Sequence, residues 1–329
     1  MAKSKILNVN PPLINCYTKY GTLFSIIPES DQLSNWVNSN FIQLVYNISW
    51  DIYTFNNHSF LLSECPAIGY FQLSKNLFTR LYRGSLIDLV KSILDSNEYV
   101  YIFVDRHYIS TDCDNYQKHH LIHELLIYGY DEKQDIFYIA DNFDDGKFMF
   151  IVCPSKDIEK GFLLLEGKEE YYSYIRTLKV YPNFQYSLDL EQIKYELYSF
   201  LNSTKTYYVK NETDRVFGLE IFTILQKQIQ ECFQNSNLID IRAFHLLYEH
   251  MLLMEERINH LAREKHIVDP VDLSDSVKSV KRLTLLLRNL VVKYNIKMDD
   301  RAFVRVSDTL AQLKSDEEKI FSRLLSSIV

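Results

Sequence analysis

His119-His120-Leu121-Ile122-His123-Glu124-Leu125-Leu126-Ile127-Tyr128-Gly129-Tyr130-Asp131, followed by Ile136-Phe137-Tyr138-Ile139-Ala140-Asp141-Asn142, decides how the first half of this chain folds. Each part carries a short apolar run rich in β-branched and aromatic residues, the composition of a strand with a buried face. Gly129-Tyr130-Asp131 reads as the turn between them. Two antiparallel strands joined there set the His123 imidazole, heading the first run, beside the Asp141 carboxylate, closing the second.

Toward the N-terminus, Cys16 follows the polar turn Asn10-Pro11-Pro12-Leu13-Ile14-Asn15 and opens a helical pattern from Tyr17 to Ile27. A sulfur at a helix N-terminus is favoured as thiolate by the macrodipole and the free amides. Cys16, His123 and Asp141 then have the types and the chain order of a nucleophile, its base and the orienter of that base. Asn142 competes with Asp141 for the last role. A lone cysteine is otherwise usually a small buried hydrophobe, and a histidine beside a strand is usually structural. A zinc site is a rival reading of Cys113, His119, His120 and His123. Their spacing matches no paired-ligand pattern, and no metal is expected.

Further strand signals lie at 99–104, 147–153 and 177–181, with Asp144-Asp145-Gly146 as a hairpin turn. Ser85 caps a helix over 86–94. The turn-rich stretch from Pro28 to Asn57 takes no assignment. From residue 186 the period is helical throughout. Asp189 and Gln192 open a capping box, and apolar stripes recur at Ile193, Leu197 and Phe200, at Leu219 to Phe233, and at Phe244 to Leu261. Two more helices are expected near 273–294 and 306–328. The fold class is therefore α+β, with a mixed domain over 1–185 and a helical domain over 186–329.

The chain has 329 residues, a formal charge of −7 and no Lys/Arg cluster, which argues against nucleic-acid binding. No apolar span of 18 residues and no signal-peptide core is present, so membrane insertion and export are not expected. Five scattered cysteines form no disulfide framework and fit reduced thiols in the cytoplasm. Only 8 Gly and 7 Pro leave little room for flexible linkers.

The stretch from Ser85 to Phe148 resembles the papain-fold proteins of the butirosin-biosynthesis H type, relatives of the C39-type double-glycine-leader peptidases. The resemblance rests on Phe103-Val104-Asp105, His107-Tyr108-Ile109, the His119 to Glu124 run, Gly129-Tyr130-Asp131 and Ile139-Ala140-Asp141-Asn142. It implies a papain-like cysteine-protease fold for roughly the first 160 residues, with Cys16, His123 and Asp141 in the catalytic positions. It implies an acyltransferase that takes an acyl or peptidyl chain from a carrier-protein thioester and passes it to an amine. The setting is bacterial antibiotic biosynthesis, comparable with the amide-forming step of closthioamide formation.

Under that resemblance the partners are an acyl or peptidyl carrier protein and a small amine such as a diamine. Phosphopantetheine belongs to the carrier, so the chain needs no cofactor of its own. A thioester already stores the energy of the amide, in keeping with the absence of a Gly-x-x-x-x-Gly-Lys loop. Asn10 lies six residues before Cys16, where papain-like enzymes hold an oxyanion-binding Gln; Asn15 is the alternative. Asp105 and His107 are expected at the substrate, with Asp112 and Asp114 as further carboxylates. Lys75, Arg80 and Arg83 are expected to face an acidic carrier. A C39-like cysteine peptidase would use the same triad, and an inactive papain-fold scaffold or binding protein is the remaining alternative.

Overall fold

β-strand pairing organises the first half of the chain. The computed structural model describes residues 2–143, 146–165, 170–206, 212–298 and 300–329. The chain begins with β1 (Ser4–Ile6), α1 (Thr18–Ile26), α2 (Asp31–Asn40), β2 (Leu44–Asn47) and β3 (Ile52–Phe55). It continues through α3 (Leu61–Glu64), β4 (Ile68–Ser74), α4 (Lys75–Leu81), α5 (Leu86–Asp95) and β5 (Tyr99–Asp105). Next come β6 (Ile122–Asp131), β7 (Ile136–Phe143), β8 (Lys147–Pro154), α6 (Ser155–Leu163) and β9 (Tyr174–Val180). The remainder is α7 (Leu190–Leu201), β10 (Arg215–Phe217), α8 (Glu220–Gln234), α9 (Ile241–Arg263), α10 (Pro270–Lys297) and α11 (Asp300–Ser327). The architecture is α+β. No helix among the described residues is long and apolar enough to cross a membrane.

The chain divides into two units, residues 1–30 with 60–185, and residues 31–59 with 186–329. In the first, a seven-stranded antiparallel sheet runs β4-β9-β5-β6-β7-β8, with β1 added to β6. The first half of β6 pairs with β5 and its second half with β1, so one strand serves two neighbours along the same edge. All seven residues of β5 are buried, which explains its uninterrupted apolar run. Helices α5 and α6 pack on β5, and α1 packs on β6 and β7. The α5 start is a full capping box, Ser85 Oγ accepting from Asp88 N and Asp88 accepting from Ser85 N.

Gly129-Tyr130-Asp131 is not the turn expected from the sequence; all three residues lie in β6. The turn falls at 132–135, where the Asp131 carboxylate accepts from the Lys133 and Gln134 amides. Gly129 serves a different need. A Cβ there would sit 2.6 Å from the Lys5 carbonyl oxygen, so only glycine lets β1 approach. The Asp144-Asp145-Gly146 hairpin lies partly outside the described residues. Strand β9 starts three residues earlier than the sequence suggested, at Tyr174.

In the second unit α7 to α11 are the five helices the apolar stripes predict. The Asp189 carboxylate caps α7 by accepting from Gln192 N, whereas the Gln192 side chain turns to Glu196, leaving the capping box half made. Residues 31–59, part of the 1–185 domain of the sequence reading, cluster instead with these helices. Their β2 and β3 pair with β10 in a small antiparallel sheet, Arg215 opposite Asn47.

Candidate active site

His123 and Asp141 meet on one face of the large sheet. Leu126 lies opposite Ala140 in the β6–β7 ladder. Counting outward by the two-residue alternation, Asp141 and His123 are diagonal neighbours with side chains on the same side. His123 Nδ1 is 3.1 Å from Asp141 Oδ2 and 3.1 Å from the Glu124 carbonyl oxygen. The carboxylate is fully buried and the imidazole only partly so.

Arg106 joins this pair. It follows β5 directly, and its Nη2 donates to Asp141 Oδ2 and, at 2.7 Å, to the Asn142 carbonyl oxygen. The same nitrogen approaches His123 Nδ1 to 3.0 Å. Its Nη1 lies 3.4 Å from Asp112 Oδ2, and the guanidinium stacks over the Phe143 ring.

These groups fix each other's charge. Burial favours neutral His123, but the charge of Asp141 and the hydrogen bond to it outweigh burial, and Arg106 pulls the other way. The net effect raises the His123 pKa above its ordinary value. Burial alone would raise Asp141; His123 and Arg106 overcome it and hold the carboxyl below the usual range. Asp141 is therefore ionised at neutral pH.

The start of α1 is fastened to the same place. The Thr18 hydroxyl donates to Asp141 Oδ1 and lies 2.8 Å from Asn142 Oδ1. Asn142 Nδ2 donates to the Asn15 carbonyl oxygen at 2.9 Å and to that of Gly146 at 2.8 Å. Cys16, largely buried at 8% exposure, thus sits in a turn gripped on both flanks by the end of β7. The helix N-cap is Tyr17, in extended conformation and with no side-chain cap, so the amides of the first turn head the α1 dipole beside Cys16. Gly21 allows this seat for α1: a Cβ there would overlap the Phe148 ring of β8 at 2.3 Å.

Of the residues singled out from sequence, Asp141 and His123 are bonded and the Cys16 turn is tied to Asp141. Asn142 holds that turn and does not bond His123. Asn10 is tied by its backbone to the far part of α1. Its backbone N–H donates to the Ser25 carbonyl oxygen, seven residues along α1 from Thr18, or about 10 Å at the helical rise. Asp105 pairs with Ile122 and Val104 with His123, so Asp105 points to the opposite face from His123. It bonds His120 Nδ1 at 2.6 Å and accepts from His107 N at 3.0 Å, and the His107 and His120 rings stack at 4.2 Å. Asp105 and His107 therefore form a second cluster with His120. Asp112 accepts from Asn115 and faces Arg106.

No group of three or more His, Cys, Asp or Glu side chains is placed to hold a metal among the described residues. Lys75 is a structural cation: its ammonium donates to the Phe162 and Leu163 carbonyl oxygens at the end of α6. Arg80 and Arg83 are exposed. The sequence reading passed over Arg106 and Thr18. A charged residue directly after a fully apolar strand, and a hydroxyl two places after the cysteine, were the available signals.

Neither the models of known protein families nor the curated protein sequences compared with this chain match it.

Proposed function

We propose that the protein is a cysteine acyltransferase of papain-like build that forms amides from carrier-bound thioesters. The observation that carries the reading is the divided Asp141 carboxylate. One oxygen holds His123 Nδ1, and the other holds Thr18, two residues after Cys16. A nucleophile on a helix start, with its base and orienter on an antiparallel sheet, is the arrangement papain-like enzymes use.

In this reading His123 Nε2 takes the Cys16 proton and the thiolate attacks the thioester carbonyl. The C–S bond to pantetheine breaks, the pantetheine thiolate leaves with the proton, and the acyl group stays on Cys16. An amine then attacks that acyl-enzyme, His123 removes the ammonium proton, and the amide departs as the Cys16 thiol is restored. Asp141 keeps the imidazole oriented and stabilises it when charged. The oxyanion donors are backbone amides at the α1 start. The carrier protein, the amine and a place in antibiotic biosynthesis belong to this proposal.

A C39-like peptidase is the second reading, because an acyl-enzyme can equally be resolved by water. The test is intact mass after incubation with an acyl-loaded carrier protein, beside Cys16→Ala. We expect an acyl adduct on the wild type alone, discharged by added amine as an amide. Cleavage of a peptide panel without an adduct would instead support the peptidase. Neither activity, with an ordinary slow thiol toward iodoacetamide, would leave an inactive scaffold.

A further inference from the structure

We propose that Arg106 is a positioning residue: it sets the charge count around His123 and fixes which ring nitrogen carries the proton. The inference rests on His123 being the base of Cys16. It concerns a residue the reaction does not itself require.

The argument begins with protons. Arg106 Nη2 has two hydrogens and faces two oxygens, Asp141 Oδ2 and the Asn142 carbonyl, the latter at 2.7 Å. Both hydrogens are thereby used. The 3.0 Å approach of Nη2 to His123 Nδ1 then has no proton left to place between them. Nδ1 in turn faces two acceptors, Asp141 Oδ2 and the Glu124 carbonyl oxygen, each at 3.1 Å. Nδ1 therefore holds its own hydrogen, and neutral His123 presents a bare Nε2. That is the tautomer a general base needs.

Charge leads to the same residue. Asp112 and Asp141 are almost wholly buried and flank one guanidinium. Arg106 is the buried cation set against these two carboxylates, and it opposes the pull of Asp141 on the His123 proton. Without it the Asp141 carboxylate would act on the imidazole with no buried cation to oppose it, and His123 would keep its proton to higher pH, into the range in which it must give it up. The groups facing His123 are Asp141 from β7, Arg106 from the turn after β5, and Glu124 from β6 itself. Asp112 acts through Arg106. Geometry makes the arrangement rigid: the Arg106 backbone N–H is held by the Leu121 carbonyl oxygen at 2.9 Å, and Phe143 covers the guanidinium.

The test is an NMR titration of the His123 ring nitrogens in the full chain, for wild type, Arg106→Met, Arg106→Lys and Asp112→Asn. Wild type should show a single Nδ1–H tautomer when neutral. Arg106→Met should move the titration to higher pH and mix the tautomers. Arg106→Lys should return the titration toward wild type. Asp112→Asn should move it the opposite way, to lower pH, and decides the matter if Arg106→Met fails to fold. An unchanged titration in folded Arg106→Met, or in Asp112→Asn, overturns the inference.

Iodoacetamide alkylation of Cys16 in wild type and His123→Ala separates this inference from the functional reading. If Cys16 reacts as an ordinary thiol and ignores His123→Ala, the Cys16–His123 reading falls, and with it the role of Arg106 in catalysis. The titrations would still decide the charge argument.

Discussion

Acidification should expose a buried histidine in the helical unit. His250 of α9 is 0% exposed, ringed by Phe55, Phe200 and Phe321, and its Nε2 donates to the Ile42 carbonyl oxygen at 2.8 Å. Its Nδ1 lies 3.8 Å from the equally buried Glu317. Burial, aided by the Arg257 charge, pushes the His250 pKa down to about 3. An unfolded imidazole takes its proton near pH 6.5. Between these values the unfolded chain binds the extra proton, so this group's contribution to stability falls as pH falls below about 6.5. From pH 7.5 to 5.0 the loss amounts to about 2 kcal/mol.

Glu196, pushed up to about 7 by burial, and Glu317, also raised by burial, act with the opposite sign. Their folded forms hold protons that the unfolded chain releases, so they add stability on acidification. A variant that keeps them but lacks the imidazole isolates His250. His250→Gln serves, since its amide can still donate to Ile42. The chain's two tryptophans, Trp36 and Trp50, both lie in this unit, so urea unfolding followed by tryptophan fluorescence reports on it directly. Relative to the variant, wild type should lose about 2 kcal/mol between the two pH values. Equal pH dependence within about 0.5 kcal/mol would refute the reasoning, because His250 would then titrate alike in both states.

Thr18→Val removes the hydroxyl that joins α1 to the buried Asp141 oxygen. It should cost about 1–3 kcal/mol in urea unfolding, measured against wild type at pH 7. Gly129→Val would press a side chain against the Lys5 carbonyl and Ile6 Cα. We expect β1 to detach at a cost of about 1–3 kcal/mol, seen as faster hydrogen exchange at the amide of Leu7, which donates to the Tyr128 carbonyl oxygen.

Period and composition alone determined much of this protein: strands β5 to β9 of the large sheet, the Ser85 cap, the helix that follows Cys16 and the five C-terminal helices. Those signals are local, since a half-buried strand or helix writes its period into its own residues. The pairing of His123 with Asp141 was also legible, because two neighbouring strands fix which side chains share a face. Tertiary structure alone decided the rest. Strands β2, β3 and β10 are three or four residues long, too short for a period, and Arg215 meets Asn47 only after the chain has folded. Gly129 looked like a turn residue, yet its need for space comes from β1, more than a hundred residues away in sequence. Arg106, Thr18 and His250 were silent for the same reason. Each owes its role to a buried oxygen supplied by a distant segment, and no local pattern encodes a partner that only folding brings near.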